Sequence, residues 1–278
     1  MLAYLFPGQG SQVRGMGADL FDNFDVYTSQ ASTELGYSIK SLCLDDPAQQ
    51  LNLTQYTQPA IYVVNALSYL KLSQDQHEKP DYVAGHSLGE YNALFAAGVF
   101  DFMTGLKIVK KRGELMSQAQ GGAMAAIMGI DKESVHHVLK QNELSTIYIA
   151  NYNSHFQFVI SGPQEDIKNA QNIFSTIKSA TFIPLRVSGA FHSPCMSSAQ
   201  IEFEKYLQSF EFDIPCMPVI ANINAAPYHP KITKYNLANQ ITSSVEWVKT
   251  IEYMKLKNVT TFKEVGVGTV LTRLLSAI

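Results

Sequence analysis

The segment Val83–Glu90, VAGHSLGE, places a serine between two glycines, after an apolar run and before a helical pattern. Gly-x-Ser-x-Gly at a strand-to-helix turn is the pattern of a nucleophile elbow, here with Ser87 at its centre. The glycines allow a turn so tight that a Cβ would strike the neighbouring strand or helix. A hydroxyl at a helix N-terminus also lies where backbone N–H groups favour developing negative charge. We predict that Ser87 is a nucleophile rather than a serine that only packs in a tight turn.

A serine nucleophile needs a general base, and the chain has seven histidines. His192 differs from the others because it occurs in SGAFHSPCM, a turn of small residues between a predicted strand and a predicted helix. Such a position lies at the rim of a sheet, where catalytic groups are commonly presented. For any single loop histidine, local hydrogen bonding is the more common role, so this pattern makes His192 a candidate base and no more.

The elements that must position these residues alternate between strands and helices. The alternation predicts a parallel sheet with crossover helices. The predicted strands are LAYLF (2–6), DYVAG (81–85), MPVIAN (217–222) and TTFKEVG (260–266). The predicted helices are roughly 16–34 and 57–75, then EYNALFAAGVF (90–100) and FDFMTGLKIVKKRGELMSQ (100–118).

Between residues 123 and 188 the predicted order becomes strand-helix-strand-strand-helix-strand. This is the order of a ferredoxin-like unit. We therefore predict a small domain at 123–188, inserted into a larger α/β domain made of 1–122 and 189–278. The cleft between two such domains is the expected place for a ligand.

Composition limits the classes of function. The chain has 278 residues, 46% of them hydrophobic and 16% charged, as in a globular protein. A net charge of −3 provides no basic field for nucleic acid. Cys43, Cys195 and Cys216 show neither a disulfide framework nor zinc spacing, which favours a reducing compartment. No secretion signal and no apolar run of roughly 18 residues is visible. We expect a cytoplasmic protein that binds no metal, nucleic acid or membrane.

Five motifs together carry a family resemblance that covers nearly the whole chain: FPGQGSQ (6–12), GHSLGE (85–90), KRGELM (111–116), NYNSHFQFVISG (151–162) and GAFHS (189–193). In their order and spacing the chain resembles malonyl-CoA:acyl carrier protein transacylases. It looks most like the free-standing acyltransferases that serve bacterial polyketide synthases lacking integrated acyltransferase domains. The resemblance implies an α/β-hydrolase-like core with a parallel sheet and an inserted ferredoxin-like small domain.

The implied activity is ping-pong transfer of malonyl from malonyl-CoA, through the serine, to the phosphopantetheine thiol of an acyl carrier protein. The product would supply polyketide or fatty acid synthesis. The resemblance implies no resident cofactor, because malonyl-CoA is a substrate and the phosphopantetheine belongs to the carrier.

The resemblance also assigns roles to matching positions in the catalytic machinery. Ser87 would be the acylated nucleophile, and His192 the base and then the acid. The main-chain carbonyl of Gln240 would orient the imidazole in place of a carboxylate. The N–H groups of Gln9 and Leu88 would form the oxyanion hole, where one donor is typically worth on the order of a hundredfold in rate.

Three further residues would bind the substrate. Arg112 matches the arginine that binds the free carboxylate of malonyl, because a guanidinium can make two parallel bonds that a lysine cannot. A neutral acyl group would leave that buried charge unpaired. Phe191 matches a position where phenylalanine favours malonyl over methylmalonyl, although a single aromatic can equally be core packing. Gln157 matches a glutamine that lines the site.

The basic run before Arg112 allows two interpretations. Lys107, Lys110 and Lys111 either form a solvated helix face or steer an acidic carrier protein toward the site. Arg112 itself would belong to that solvated face if the resemblance did not hold.

Two stretches depart from the family pattern. Val267 stands in EVGVG where proline is usual, and His155 and Phe156 stand where proline and a small residue are common. Both are predicted loop changes. They affect loop rigidity and the surface that faces the carrier rather than the chemistry.

Two other functions remain open at this point. An acyl hydrolase that clears stalled carrier proteins would use the same serine with water as acceptor, but editing relatives lack the carboxylate-binding arginine. A non-catalytic docking module would keep the fold without needing Ser87, His192, Arg112 and Gln9 together.

Overall fold

The computed structural model describes residues 1–75 and 79–278, which form two four-stranded sheets with helices packed around them. The first sheet contains β1 (Leu2–Phe6), β2 (Tyr82–Gly85), β7 (Val219–Ile220) and β8 (Thr261–Glu264). The second contains β3 (Gly122–Met128), β4 (Tyr148–Ser154), β5 (Gln157–Pro163) and β6 (Thr181–Pro184). The helices are α1 (Asp25–Leu35), α2 (Ile39–Leu44), α3 (Thr54–Asp75), α4 (Gly89–Ala96), α5 (Phe102–Ser117), α6 (Lys132–Gln141), α7 (Gln164–Phe174), α8 (Ser197–Leu207), α9 (Thr233–Gln240), α10 (Trp247–Leu256) and α11 (Val270–Leu275).

The first sheet is parallel throughout, in the order β7-β2-β1-β8. All five residues of β1 are buried, and alternate side chains enter the apolar clusters on the two faces, so a continuous apolar run suits this central strand. Phe6 pairs with Gly85 at the carboxyl ends of β1 and β2. The loops that follow these two strands, PGQG and HSLG, therefore leave the sheet side by side.

The second sheet is antiparallel, in the order β4-β5-β3-β6. With α6 after β3 and α7 after β5, it follows the predicted strand-helix-strand-strand-helix-strand order. A separate apolar cluster lies between this sheet and its helices, and it includes Ile127, Phe158 and Phe174. The α/β class with a ferredoxin-like unit is thus confirmed. The exact domain limits, 1–122 with 189–278 and 123–188, stay a prediction.

The first predicted helix is wrong over its first half. Residues 16–24 form consecutive turns, and α1 begins only at Asp25. Gly15 and Gly17 have φ of +90° and +76°, which a helix cannot contain. Leu20 and Phe24 are nevertheless buried, because turns place every third or fourth side chain on one face as a helix does.

None of the helices within residues 1–75 and 79–278 has both the length and the hydropathy that a membrane-spanning segment requires.

Candidate active site

The serine turn joins β2 to α4 and leaves no room for side chains at its two glycines. A Cβ on Gly85 would lie 1.9 Å from the carbonyl carbon of Gly89, and one on Gly89 would lie 2.0 Å from the oxygen of Phe6. Ser87 itself has φ of +51°, a strained conformation for a residue with a side chain. The turn geometry therefore explains the Gly-x-Ser-x-Gly spacing and raises the hydroxyl above the sheet edge.

A buried asparagine that the sequence analysis missed braces this turn. Asn222 Oδ1 accepts the Ser87 N–H at 2.7 Å, and Asn222 Nδ2 donates to the Gly85 carbonyl at 2.7 Å. Its only signal in the sequence is its place as the last residue of the predicted strand MPVIAN, at the edge where β2 also ends.

The predicted nucleophile and base are in contact. The Ser87 hydroxyl donates to His192 Nε2 at 2.7 Å. On the other side of the ring, His192 Nδ1 lies 2.8 Å from the Gln240 carbonyl and 3.1 Å from the Ser243 carbonyl. Because both of these partners can only accept, the proton of the neutral imidazole lies on Nδ1 and Nε2 is free to take one from the serine.

The surroundings keep this imidazole neutral. Burial, together with the positive charge of Arg112, lowers the pKa of His192 to about 3. The Gln240 carbonyl acts in the opposite direction, but it does not outweigh the other two effects. At neutral pH the resting ring is therefore unprotonated and can accept the serine proton.

The predicted oxyanion-hole amides lie on the two neighbouring loops. Neither the Gln9 N–H nor the Leu88 N–H donates a hydrogen bond within the described part of the chain. A Cβ on Gly8 would lie 2.3 Å from the His86 oxygen and 3.5 Å from the Leu88 nitrogen, so the first loop packs directly on the elbow. This arrangement leaves two backbone donors available beside the nucleophile.

Arg112 lies on the buried face of α5, with Ile108 and Met116 four residues away on either side. Its Nη1 donates to Gln58 Oε1 at 2.8 Å. Its Nη2 donates to Gln240 Oε1 at 2.9 Å and to Ser87 Oγ at 3.2 Å. With an exposed fraction of 1%, Arg112 is no part of a solvated basic face.

The three lysines of the same helix lie elsewhere. Lys110 Nζ donates to the Glu34 carbonyl at 2.6 Å, and Lys111 Nζ lies 6.0 Å from the centre of the Tyr206 ring. Of the three lysines, Lys107 alone is exposed without a hydrogen bond or ring contact among the described residues. Two of the three proposed steering charges therefore have partners within the chain, which weakens the steering interpretation.

A cavity of about 540 Å³ opens above the serine, between the two sheets. Ser87, His192, Arg112, Gln9, Phe191 and Gln157 all line it. Leu88 and Gln240 are fully buried behind this lining. The structure thus brings all eight predicted site residues to one place, although their separate roles stay predictions.

The departures from the family pattern lie in two different settings. His155 and Phe156 are exposed in the turn between β4 and β5. Val267 is buried, and its N–H donates to Asn65 Oδ1 at 3.3 Å, a bond that proline could not make. Asn65 Nδ2 donates in turn to the Pro7 carbonyl at 2.9 Å. Val267 therefore connects the C-terminal loop to the loop that carries Gln9.

Comparison with known proteins decides the family. A family model described as acyl transferase domain matches residues 3–272. The chain is 57% identical to the polyketide biosynthesis malonyl CoA-acyl carrier protein transacylase BaeC of Bacillus velezensis, covering 100% of this chain and 96% of that protein. The chain belongs to the malonyl-CoA:acyl carrier protein transacylase family.

Solved structures of transacylases share the whole fold. The crystal structure of malonyl CoA-acyl carrier protein transacylase from Burkholderia pseudomallei is 48% identical, with a TM-score of 0.97 over 100% of this chain and 97% of that one. A malonyl-transacylase solved in complex with a type II polyketide synthase acyl-carrier protein is 35% identical, with a TM-score of 0.94 over 100% of this chain and 92% of that one. The resemblance inferred from the motifs is therefore confirmed.

Proposed function

We propose that this transacylase transfers the malonyl group of malonyl-CoA to an acyl carrier protein for polyketide biosynthesis. The observation that carries the proposal is the position of the Ser87 hydroxyl. It lies 2.7 Å from a neutral imidazole and 3.2 Å from a buried guanidinium in one open cavity. The 57% identity to a transacylase named for polyketide biosynthesis supports the pathway.

Acylation follows from this geometry. His192 Nε2 takes the Ser87 proton as the serine oxygen attacks the thioester carbon. The Gln9 and Leu88 amides stabilise the negative charge that develops on the carbonyl oxygen. The tetrahedral intermediate then expels the CoA thiolate, which receives the proton from His192, and malonyl-Ser87 remains.

Arg112 selects the acyl group. Its terminal nitrogens each hold a glutamine oxygen, and its contact with Ser87 Oγ is the one that a substrate carboxylate would replace. A carboxylate bound there places the thioester carbon, two bonds away, close to the nucleophile. An acetyl group would leave the buried charge without that partner, so malonyl is favoured.

The second half of the cycle returns the acyl group to a thiol. The phosphopantetheine thiol of the carrier attacks malonyl-Ser87, with His192 taking the thiol proton and returning it to the serine. The transacylase solved with its carrier protein supports this kind of acceptor.

Arg186 provides a second positive charge at the cavity. It lines the same space, and its side chain is exposed with no ion-pair or hydrogen-bond partner within the described residues. The acyl end of the substrate would face Arg112, and the phosphates of CoA would lie toward Arg186 at the solvent side.

Intact-mass spectrometry tests the proposal. After mixing with malonyl-CoA, we expect a malonyl adduct on the wild-type chain that disappears when a holo acyl carrier protein is added and reappears on the carrier. Ser87→Ala should show no adduct. If free malonate is released and the carrier is not labelled, the protein is a hydrolase rather than a transferase. If no adduct forms at all, a non-catalytic role is favoured.

A further inference from the structure

The machinery described above contains no carboxylate, yet a buried one lies directly behind it. Glu90, in the first turn of α4, is fully buried. Its Oε1 accepts the Tyr228 hydroxyl at 2.7 Å and the Asn222 N–H at 3.1 Å. Its Oε2 accepts a hydrogen bond from Gln240 Nε2. A charge held this deep requires partners of this kind to be tolerated.

Gln240 connects this carboxylate to the base and to the arginine of the site. Its Nε2 also donates to the Ser87 carbonyl at 2.9 Å. Its Oε1 accepts from Arg112 Nη2 at 2.9 Å, and its main-chain oxygen accepts from His192 Nδ1 at 2.8 Å. One glutamine thus contacts the nucleophile's backbone, the base and the substrate-binding guanidinium.

The orientation of the Gln240 amide depends on what lies on its NH2 side. Two acceptors, the Ser87 carbonyl and Glu90 Oε2, together use both hydrogens of that group. Because these acceptors fix the amide, its oxygen must face Arg112. If a donor replaced Glu90 Oε2, the amide would rotate and present N–H groups to the guanidinium, which can only donate.

The same arrangement pairs two buried charges across one amide. Arg112 and Glu90 are both shielded from water, and the Gln240 side chain bonds to each of them. Burial raises the pKa of Glu90 to about 7, whereas Tyr228, Gln240, Asn222 and Arg112 favour its ionised form. In the ionised form of Glu90, its negative charge and the positive charge of Arg112 stabilise each other before substrate arrives.

We propose that Glu90 is a positioning residue for malonyl selection: it fixes the Gln240 amide and thereby holds the Arg112 guanidinium at the Ser87 hydroxyl. The carboxylate of a Ser-His-Asp triad binds the imidazole directly. Here the carboxylate contacts Gln240 rather than the histidine. Removing the carboxylate should therefore weaken substrate binding by Arg112 more than it affects His192. This inference rests on the proposed malonyl transfer.

Glu90→Gln is the sharpest test because it keeps the shape of the side chain. The new carbonyl oxygen can still accept from Tyr228 and Asn222, while the new NH2 faces the Gln240 NH2. The test is the rate of single-turnover acylation by malonyl-CoA and by acetyl-CoA, followed by intact-mass spectrometry at several substrate concentrations. The expected result is a loss of roughly tenfold or more in malonylation, mainly through weaker binding, with a much smaller loss in acetylation.

Tyr228→Phe is the matched control. It removes a hydrogen bond to the same carboxylate but leaves the contact with Gln240 in place, so the malonyl-to-acetyl ratio should stay that of the wild type. Thermal melts report whether each variant is folded. If Glu90→Gln does not fold, Gln240→Met is tested in its place. This variant keeps the main-chain carbonyl and removes only the amide that joins Glu90 to Arg112. It should show the same loss of malonyl preference.

Three results would overturn the inference. One is a wild-type malonyl-to-acetyl ratio in folded Glu90→Gln. Another is an equal loss for both substrates that Tyr228→Phe reproduces, which would assign Glu90 to fold support only. The third is a wild-type ratio in Gln240→Met. Each of these results rejects the role of Glu90 but not malonyl transfer. The proposed function itself is rejected if malonyl-CoA does not label the wild-type chain.

Discussion

Replacing Arg112 by lysine tests the choice of substrate most directly. The guanidinium bonds to Gln58 through Nη1 and to Gln240 and Ser87 through Nη2. A lysine keeps the charge, but its single nitrogen cannot hold both glutamines and a carboxylate in one plane. At least one charge-assisted bond to the substrate is lost, worth about 1.5–3 kcal/mol. Since about 1.4 kcal/mol is a factor of ten, we expect kcat/KM for malonyl-CoA to fall roughly 10- to 150-fold.

The assay compares the acylation rates with malonyl-CoA and acetyl-CoA in wild type and Arg112→Lys. Acetylation should change little, because acetyl has no carboxylate for the arginine to bind. Lys111→Arg is the matched control, since it makes the reverse exchange one residue away, on the side chain that lies over Tyr206. If Arg112→Lys kept the wild-type preference for malonyl, Arg112 would not bind the substrate carboxylate.

Three more predictions follow from the site. Acylation by acetyl-CoA, which has no carboxylate for Arg112 to bind, should stay nearly constant from pH 8 to pH 5, because the pKa of His192 is lowered to about 3 and the base remains neutral; an imidazole with the ordinary pKa of 6.5 would lose roughly tenfold by pH 5.5. Acylation by malonyl-CoA should instead fall as the pH drops through 7, because the pKa of Glu90 is raised to about 7, and this step should vanish in Glu90→Gln. A step near 6.5 with both substrates would contradict the burial of His192. Gly89→Ala should abolish acylation and cost about 1–3 kcal/mol in urea unfolding, because its Cβ would lie 2.0 Å from the last carbonyl oxygen of β1; wild-type stability would mean that the elbow can relax. Arg186→Glu should raise the KM for malonyl-CoA several-fold at low salt but leave the KM for malonyl-pantetheine, which has no phosphate, unchanged. Lys168→Glu, a charge reversal on the exposed face of α7, is the control. If both variants raised the KM equally, the effect would come from overall charge rather than from Arg186.

The predictable part of this protein is local in the chain. The elbow could be found from sequence because its steric demands fall on five consecutive residues, and the structure shows why Gly85 and Gly89 are needed. The two sheets followed from the order of the strand and helix patterns. The same reasoning failed at 16–34, because consecutive turns reproduce the apolar spacing of a helix and only the positive φ of Gly15 and Gly17 separates the two.

The residues that sequence reasoning missed act over long separations. Asn222 lies 135 residues after the serine whose N–H it accepts, and Glu90 lies 150 residues before Gln240, to which it is bonded. Gln58 lies 54 residues before the arginine that it holds. A polar side chain that meets its partner only after the chain has folded leaves no periodicity or turn signal behind.

The nucleophile turn, the class of fold and the chemistry available to a serine, a histidine and an arginine can all be inferred from the amino-acid sequence alone. These follow from backbone sterics, from the period of apolar residues and from motifs whose meaning does not depend on distant contacts. Three features become apparent only in the folded chain: Arg112 is buried at the nucleophile, two carbonyls hold the imidazole, and Glu90 lies behind Gln240. Those facts depend on which loops the parallel sheet brings to its carboxyl edge, where burial changes the cost of each charge.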